Sequence, residues 1–228
     1  MKLFITSTNT DVGKTYVTTH LYHYLTRKGL KVHIIKPFQT EVLPDGKYPD
    51  LESYQKMCGL SYADTSFYMF AAPVSPHLAF KLEPHQQLDR MAIKAWVQTW
   101  HAQCDVLLIE GAGGIGVPLY EEETTFYMTA DFIRDVADGV ISVLPSQLGA
   151  ISDALVHHHY LTTMQLPNGL YVMNRYTDTP IEQDNHKTIE KITGRHVEVF
   201  PEAGTDRDFS ETLFDQIKGV VTYETWEW

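Results

Sequence analysis

The chain has 228 residues, 43% of them hydrophobic, with a formal net charge of −11. That length can bury a substantial core. The acidic balance, with no basic stripe anywhere, argues against a nucleic-acid partner but not against a phosphate ligand, which needs only backbone N–H groups and one or two local cations.

Short apolar runs alternate with stretches of helical spacing along the chain. "KLFIT" (Lys2–Thr6) predicts a strand, and Lys14–Lys28 a helix stopped by Gly29. "KVHIIKP" predicts a second strand ended by Pro37, and Asp50–Cys58 a short helix closed by Gly59. "APVSPH" (Ala72–His77) reads as loop because of its prolines, and Gln86–Ala102 as a helix with Leu88, Met91, Ala95 and Val97 on its apolar face. "DVLLIEGAGG", "GVISVLP" (Gly139–Pro145) and "GLYVMN" (Gly169–Asn174) are the unbroken apolar runs of parallel strands buried on both faces. Helices are expected at Ala150–Met164 and Ile181–Thr193, and "HVEVFP" as a last strand. This alternation predicts an α/β fold, a doubly wound and mainly parallel sheet with helices on both faces, as one domain over residues 1–228.

Three other features bound the setting. Cys58 and Cys104 form neither a disulfide framework nor a metal spacing, and read as two reduced thiols. "MKLFITSTNT" is too short in apolar residues for a signal peptide, and no run reaches the ~18–20 apolar residues of a membrane span. A cytoplasmic location without membrane association is the expectation.

In open α/β sheets ligands gather at the carboxyl ends of strands. "TNTDVGKT", "IKPFQT" and "IEGAGG" each directly follow a predicted strand. Gly13-Lys14-Thr15 between strand and helix can wrap a phosphate, with Lys14 reaching the β- and γ-phosphates and the Thr15 hydroxyl holding Mg²⁺; the alternative is a helix start with local caps. The threonine at position 8 stands where the common phosphate loop has its first glycine. Glu110 closes a buried strand, a costly place for a carboxylate unless it meets a cation, though a solvated strand end would also suit it. Lys36 aims at the same rim and could hold a further anion or simply face solvent. Asp50 is fully explained as a helix N-cap. His157, His158 and His159 point in different directions around a helix and cannot converge on one metal, while His20 and His23 lack a third ligand.

Taken in order, these segments resemble the dethiobiotin synthetase family. "TSTNTDVGKT" is similar to its Gly-Thr-x-Thr-x-x-Gly-Lys-Thr loop, "KPFQT" to its Lys-Pro-x-x-Ser/Thr, "APVSPH" to its Pro-x-Ser-Pro-His and "IEGAGG" to its Glu-Gly-Ala-Gly-Gly. "LPSQLGAISDAL" resembles its strand, Leu-Gly and helix start, and "VMN" its strand-end Asn, so the likeness runs from Phe4 to Asn174. It implies a P-loop ligase of biotin biosynthesis that closes 7,8-diaminopelargonic acid onto CO₂ with ATP, by way of a carbamate and a carbamic-phosphoric mixed anhydride.

The same resemblance assigns roles. Thr10, Asp11, Val12, Gly13, Lys14, Thr15 and Tyr16 would bind the nucleotide, with Asn174 and Pro201 at its base. Thr15, Asp50 and Glu110 would hold Mg²⁺, Lys36 would bridge carbamate and γ-phosphate, and Thr40 would hydrogen-bond the carbamate. Ser75 and the Gly111–Gly114 loop, including Gly113, would line the diamine site. Gly149, Ala150, Ile151 and Ser152 would receive the substrate carboxylate from a neighbouring subunit, which implies a homodimer with the active site at its interface. Ser7 departs from the family glycine, agreement thins after Asn174, and the tail "VVTYETWEW" has no counterpart. A related amidoligase would ordinarily add a glutaminase domain. A partitioning-type switch ATPase would carry a lysine early in the loop, where this chain has Asn9, Thr10 and Asp11.

Overall fold

A computed structural model describes residues 1–167 and 169–222. The elements run β1 (Lys2–Ser7), α1 (Lys14–Arg27), β2 (Val32–Ile35), β3 (Phe38–Gln39), α2 (Pro49–Cys58), α3 (Tyr62–Thr65), β4 (Tyr68–Met69), α4 (Pro76–Leu82), α5 (Arg90–His101) and β5 (Val106–Glu110). They continue with β6 (Pro118–Glu121), β7 (Phe126–Met128), α6 (Thr129–Val136), β8 (Gly139–Leu144), α7 (Ala150–Thr163), β9 (Gly169–Tyr176), α8 (Pro180–Thr193), β10 (Val197–Pro201) and α9 (Glu211–Thr222).

The six apolar runs read as strands are the six strands of the main sheet, in the order β10-β9-β8-β1-β5-β2, every pair parallel. Side chains alternate across it. On β1, Phe4 joins a core under α4 to α8, while Leu3 and Ile5 join a second core under α1, α2 and α9. Because β1 lies between β5 and β8, the loops leaving β1 and β5 open side by side at the carboxyl edge. In register, Ile5 stands opposite Glu110.

The local signals at helix ends explain several boundaries. Pro49 occupies the first turn of α2, and Gly59 closes that helix at φ 72°, a left-handed value natural to glycine. On α8, Thr179 just ahead of Pro180 forms a capping box with Glu182.

Several expectations need correction. The "APVSPH" segment is not all loop: α4 begins at Pro76, because proline suits a first helical turn. The helix expected over Gln86–Ala102 is shorter, starting at Arg90 where Asp89 caps the Ala92 N–H. Its inward face is Ile93 and Val97, one helical turn apart, while Met91 is 77% exposed. The β6–β7 hairpin, the short β3–β4 pair, α3, α6 and α9 were not anticipated. Their runs are brief or carry charges that mask the periodicity, yet Phe132, Ile133 and Val136 of α6 and Leu213 and Ile217 of α9 are buried. Of the unplaced tail, residues 223–228 lie outside the described residues.

Cys58 and Cys104 are free and partly buried. Burial pushes the Cys58 thiol up to about 12, so it stays protonated and unreactive. Among the described residues no helix is long and apolar enough to cross a membrane.

Candidate active site

The loop from β1 to α1 turns through Asp11 at φ 60° and Gly13 at φ 97°. A side chain at position 13 is disfavoured on two counts: the left-handed backbone strains it, and a Cβ would lie 2.2 Å from Asn174 Nδ2, which would have to move. Asn174 Nδ2 donates to the Val12 carbonyl at 2.8 Å, tying the end of β9 to the loop. Its Oδ1 is buried with no hydrogen-bond partner among the described residues. Pro201 sits nearby at the end of β10, where its carbonyl accepts from the Gly204 N–H at 2.9 Å. Tyr16 on α1 reaches that same turn, donating its hydroxyl to the Gly204 carbonyl at 2.6 Å.

Four elements bring their polar side chains together in front of this loop. Lys36, just past β2, pairs with Glu110 Oε1 at 2.7 Å and also with Asp50 of α2. The Thr15 hydroxyl lies 2.8 Å from Asp50 Oδ1 and 3.0 Å from Glu110 Oε1. Tyr54, one turn after Asp50 on the same helix, donates its hydroxyl to Glu110 Oε2. Burial pulls the Lys36 pKa down, but Glu110 and then Asp50 outweigh it and the net displacement is upward, so the ammonium stays charged. For Asp50, burial is overcome by Lys36 and by hydrogen bonds from Lys36 and Thr15, and its carboxyl is held below the usual range. Burial, reinforced by Glu110, raises the Tyr54 phenol well above its ordinary value. Lys14 moves the other way, lowered chiefly by burial and further by Lys36, against the pull of Glu110.

This cluster forms the floor of a cleft of about 570 Å³ whose walls include Thr10, Asp11, Gly13, Tyr16, Thr40 and Gly113. A second cleft, about 360 Å³, is lined by Ser75, Pro76 and Val117 and shares Thr10, Asp11, Thr40, Glu41 and Gly113 with the first. Two ligands could therefore meet across the shared wall. The first volume is of the size ordinary for small-molecule and cofactor sites.

Other expected site residues lie elsewhere. Gly111 is behind the loop: its N–H bonds to the Ile5 carbonyl at 2.9 Å, and a Cβ there would meet Phe4 at 2.8 Å. Val12 turns its side chain toward the α1-side core. Gly149, Ala150, Ile151 and Ser152 start α7 and line neither cleft. His157 is 2% exposed and within 2.7 Å of the Ser142 hydroxyl, a packing role.

Tyr54, Glu41 and Arg175 belong to the cleft region without having been singled out. Tyr54 was within reach, because it follows Asp50 by four residues and shares its helix face. Arg175, at φ 58°, gave no sequence signal for its place in the wall.

The donor set suits a small hard cation. Thr15, Asp50 and Glu110 offer oxygen ligands gathered around the Lys36 ammonium, which already holds positive charge among them. No group of three or more His, Cys, Asp or Glu side chains is placed for a metal among the described residues. Two carboxylates and a hydroxyl match the habit of Mg²⁺, which takes one or two carboxylates and leaves its other positions to phosphates and water.

A parallel sheet with Gly-Lys-Thr opening the helix after β1, and a strand-end carboxylate beside it, defines a nucleotide-binding protein of the P-loop class. A family model described as an AAA domain matches residues 1–201. Solved structures of that class share the fold: the MinC:MinD cell division complex of Aquifex aeolicus, with TM-score 0.56 at 17% identity, covers 94% of this chain and 89% of its own. The septum site-determining protein MinD of Pyrococcus horikoshii, complexed with Mg-ADP, gives TM-score 0.54 at 16% identity over 88% of this chain and 81% of its own. Closer in sequence, the ATP-dependent dethiobiotin synthetase BioD of Staphylococcus epidermidis is 52% identical over 219 residues, covering 96% of this chain and 98% of that protein. BioD of Geobacillus sp. strain WCH70 is 37% identical over 83% of this chain and 80% of that protein. The chain belongs to the ATP-dependent dethiobiotin synthetase family.

Proposed function

We propose that this protein makes dethiobiotin from 7,8-diaminopelargonic acid, CO₂ and ATP, releasing ADP and phosphate. The observation that carries the reading is Lys36: a buried ammonium set between Glu110 and Asp50, lining the same cleft as the phosphate loop and as Thr40, which that cleft shares with the second one. One substrate amine adds to CO₂ and loses a proton, giving a carbamate. A carbamate oxygen attacks the γ-phosphorus and its bond to the β-phosphate oxygen breaks, giving ADP and a carbamic-phosphoric anhydride. The second amine attacks the carbonyl carbon, the C–O bond to phosphate breaks, and the cyclic urea forms as phosphate and a proton leave.

Each step brings anions together, so positive charge fixed in place is the main contribution the chain can make. Lys14 faces the β- and γ-phosphates, and Lys36 stands where carbamate and γ-phosphate meet. The N–H groups from Thr10 to Thr15 surround the phosphates at the start of α1. Thr15, Asp50 and Glu110 would hold Mg²⁺, which supplies neutralisation of the transferring phosphoryl group. Thr40, bordering both clefts, would hold the carbamate by its hydroxyl, with Ser75 and Gly113 along the diamine. Asn174 Oδ1, without a hydrogen-bond partner among the described residues, is an acceptor suited to a base amino group.

Residues 1–228 are read as one domain, supported by a single sheet holding strands from Lys2 to Pro201. The homodimer remains part of the proposal: Leu148, 91% exposed beside Gly149, is an apolar side chain that a second subunit would cover as it contributes the α7 start to the site. Free thiols at Cys58 and Cys104 support a cytoplasmic setting.

The test is product formation. Purified protein with Mg²⁺, ATP, bicarbonate and the diamine should yield dethiobiotin by mass spectrometry, and phosphate release should depend on the diamine. Hydrolysis that ignores the diamine, with no cyclic urea, would refute the reading.

A further inference from the structure

Ser7, the residue that departs from the family glycine, is the last residue of β1 and is 0% exposed. Its hydroxyl makes two hydrogen bonds: it donates to the Asn9 carbonyl at 2.5 Å and accepts from the Lys14 ammonium at 3.1 Å. The first bond fixes the direction of the hydroxyl proton, which leaves the oxygen lone pairs facing Lys14. Ser7 itself is held in place, because it pairs with Val143 of β8 and its carbonyl accepts from the Ile115 N–H at 3.0 Å.

Lys14 needs such a tether. It is 7% exposed on a flexible four-carbon stem and feels attraction from the neighbouring Glu110 and Asp50 carboxylates. Left unheld, that ammonium would be drawn into the carboxylate cluster, where it would compete with Lys36 and vacate the phosphate loop.

We propose that Ser7 is a positioning residue for Lys14, holding its ammonium off the Glu110–Asp50 carboxylates and in the loop, with its remaining N–H donors free for the β- and γ-phosphates of ATP. The inference rests on the reading of Thr10 to Tyr16 as the nucleotide loop. Pre-organisation of this kind acts on ligands that reach the β-phosphate and not on those that stop at the α-phosphate.

The test measures binding of Mg·ADP and of AMP by calorimetry to the full chain, in wild type, Ser7→Ala, Lys14→Ala and the double variant. Loss of a hydrogen bond to a charged group predicts about tenfold weaker ADP binding in Ser7→Ala, with AMP changed by less than about twofold. In the Lys14→Ala background, Ser7→Ala should alter ADP affinity by less than about twofold, because the group it positions is gone. Equal losses in both backgrounds, an equal loss for AMP, or unchanged or tighter ADP binding would overturn the proposal. Ser7→Gly, which removes the hydroxyl without adding volume, must repeat the pattern. If both Ser7 variants lose cooperative unfolding, the residue's role is structural and the proposal fails. Binding needs no product, so coupling of Ser7 and Lys14 in a chain that forms no dethiobiotin would keep this inference and reject the proposed function.

Discussion

Replacing Lys36 by methionine keeps an unbranched side chain one atom shorter and deletes its charge. Glu110, whose side chain is 0% exposed, then loses its nearest cation, while Asp50, 28% exposed, can turn toward solvent. The hydrogen bonds from Tyr54 and Thr15 remain, but neither carries charge. Removing one partner of a buried ion pair costs about 3–5 kcal/mol, since the other charge is left buried and uncompensated. For a chain of this size each kcal/mol moves Tm by about 2–4 °C, so the free protein should melt ~6–20 °C lower. Mg²⁺ with ADP should recover part of that loss, because the carboxylates then face a cation again. Thermal unfolding of wild type and Lys36→Met, with and without Mg·ADP, measures both. Dethiobiotin formation should drop by at least about 100-fold, about 2.7 kcal/mol of transition-state stabilisation, even where the folded variant binds ADP. A Tm within about 2 °C of wild type, or an equal deficit with and without Mg·ADP, would refute the idea that Lys36 neutralises Glu110 at the metal position.

Two further substitutions probe the loop and the core. Gly13→Ala places a Cβ 2.2 Å from Asn174 Nδ2 on a backbone at φ 97°, so it should abolish detectable ADP binding by calorimetry; binding within about threefold of wild type would mean the loop can rearrange. His157 is held down to about 4 from an ordinary 6.5, chiefly by burial and further by His158. Between those values the unfolded chain binds a proton that the folded chain refuses, so stability rises with pH across the window and is lost as pH falls from 6.5 toward 4. The contribution is at most about 3 kcal/mol, and denaturant unfolding of His157→Gln at pH 7 and pH 5 should show a shallower decline than wild type. An identical decline would place the acid sensitivity elsewhere.

Much of this architecture is written in local patterns, and what is missing from them has physical causes. Strands buried on both faces must be apolar throughout, so "VLLIE" and "GVISVL" announce themselves. The phosphate loop is legible because its glycine and lysine answer to one local geometry. The partners of those residues are not local. That Asn174 crowds any side chain at Gly13 depends on the end of β9 meeting the β1–α1 loop, residues 161 apart in sequence. Ser7 looked like a blemish in a motif, and its bond to Lys14 follows only from the loop folding back on β1. The α5 face was read in part: Val97 is buried and Leu88 packs against the core as expected, but Met91 is exposed and Ile93 was missed, because Asp89 starts the helix later than the apolar spacing suggested. Two-residue strands such as β3 and β4 carry too few residues to show any period.

The central claim is that a substrate carbamate, not water, takes the γ-phosphoryl group. It is tested most directly by supplying freshly prepared C¹⁸O₂ in a rapid-quench reaction, before exchange with solvent, and weighing both products. The account predicts one ¹⁸O in the released phosphate and one in the ureido carbonyl of dethiobiotin. Phosphate carrying only solvent oxygen would contradict it.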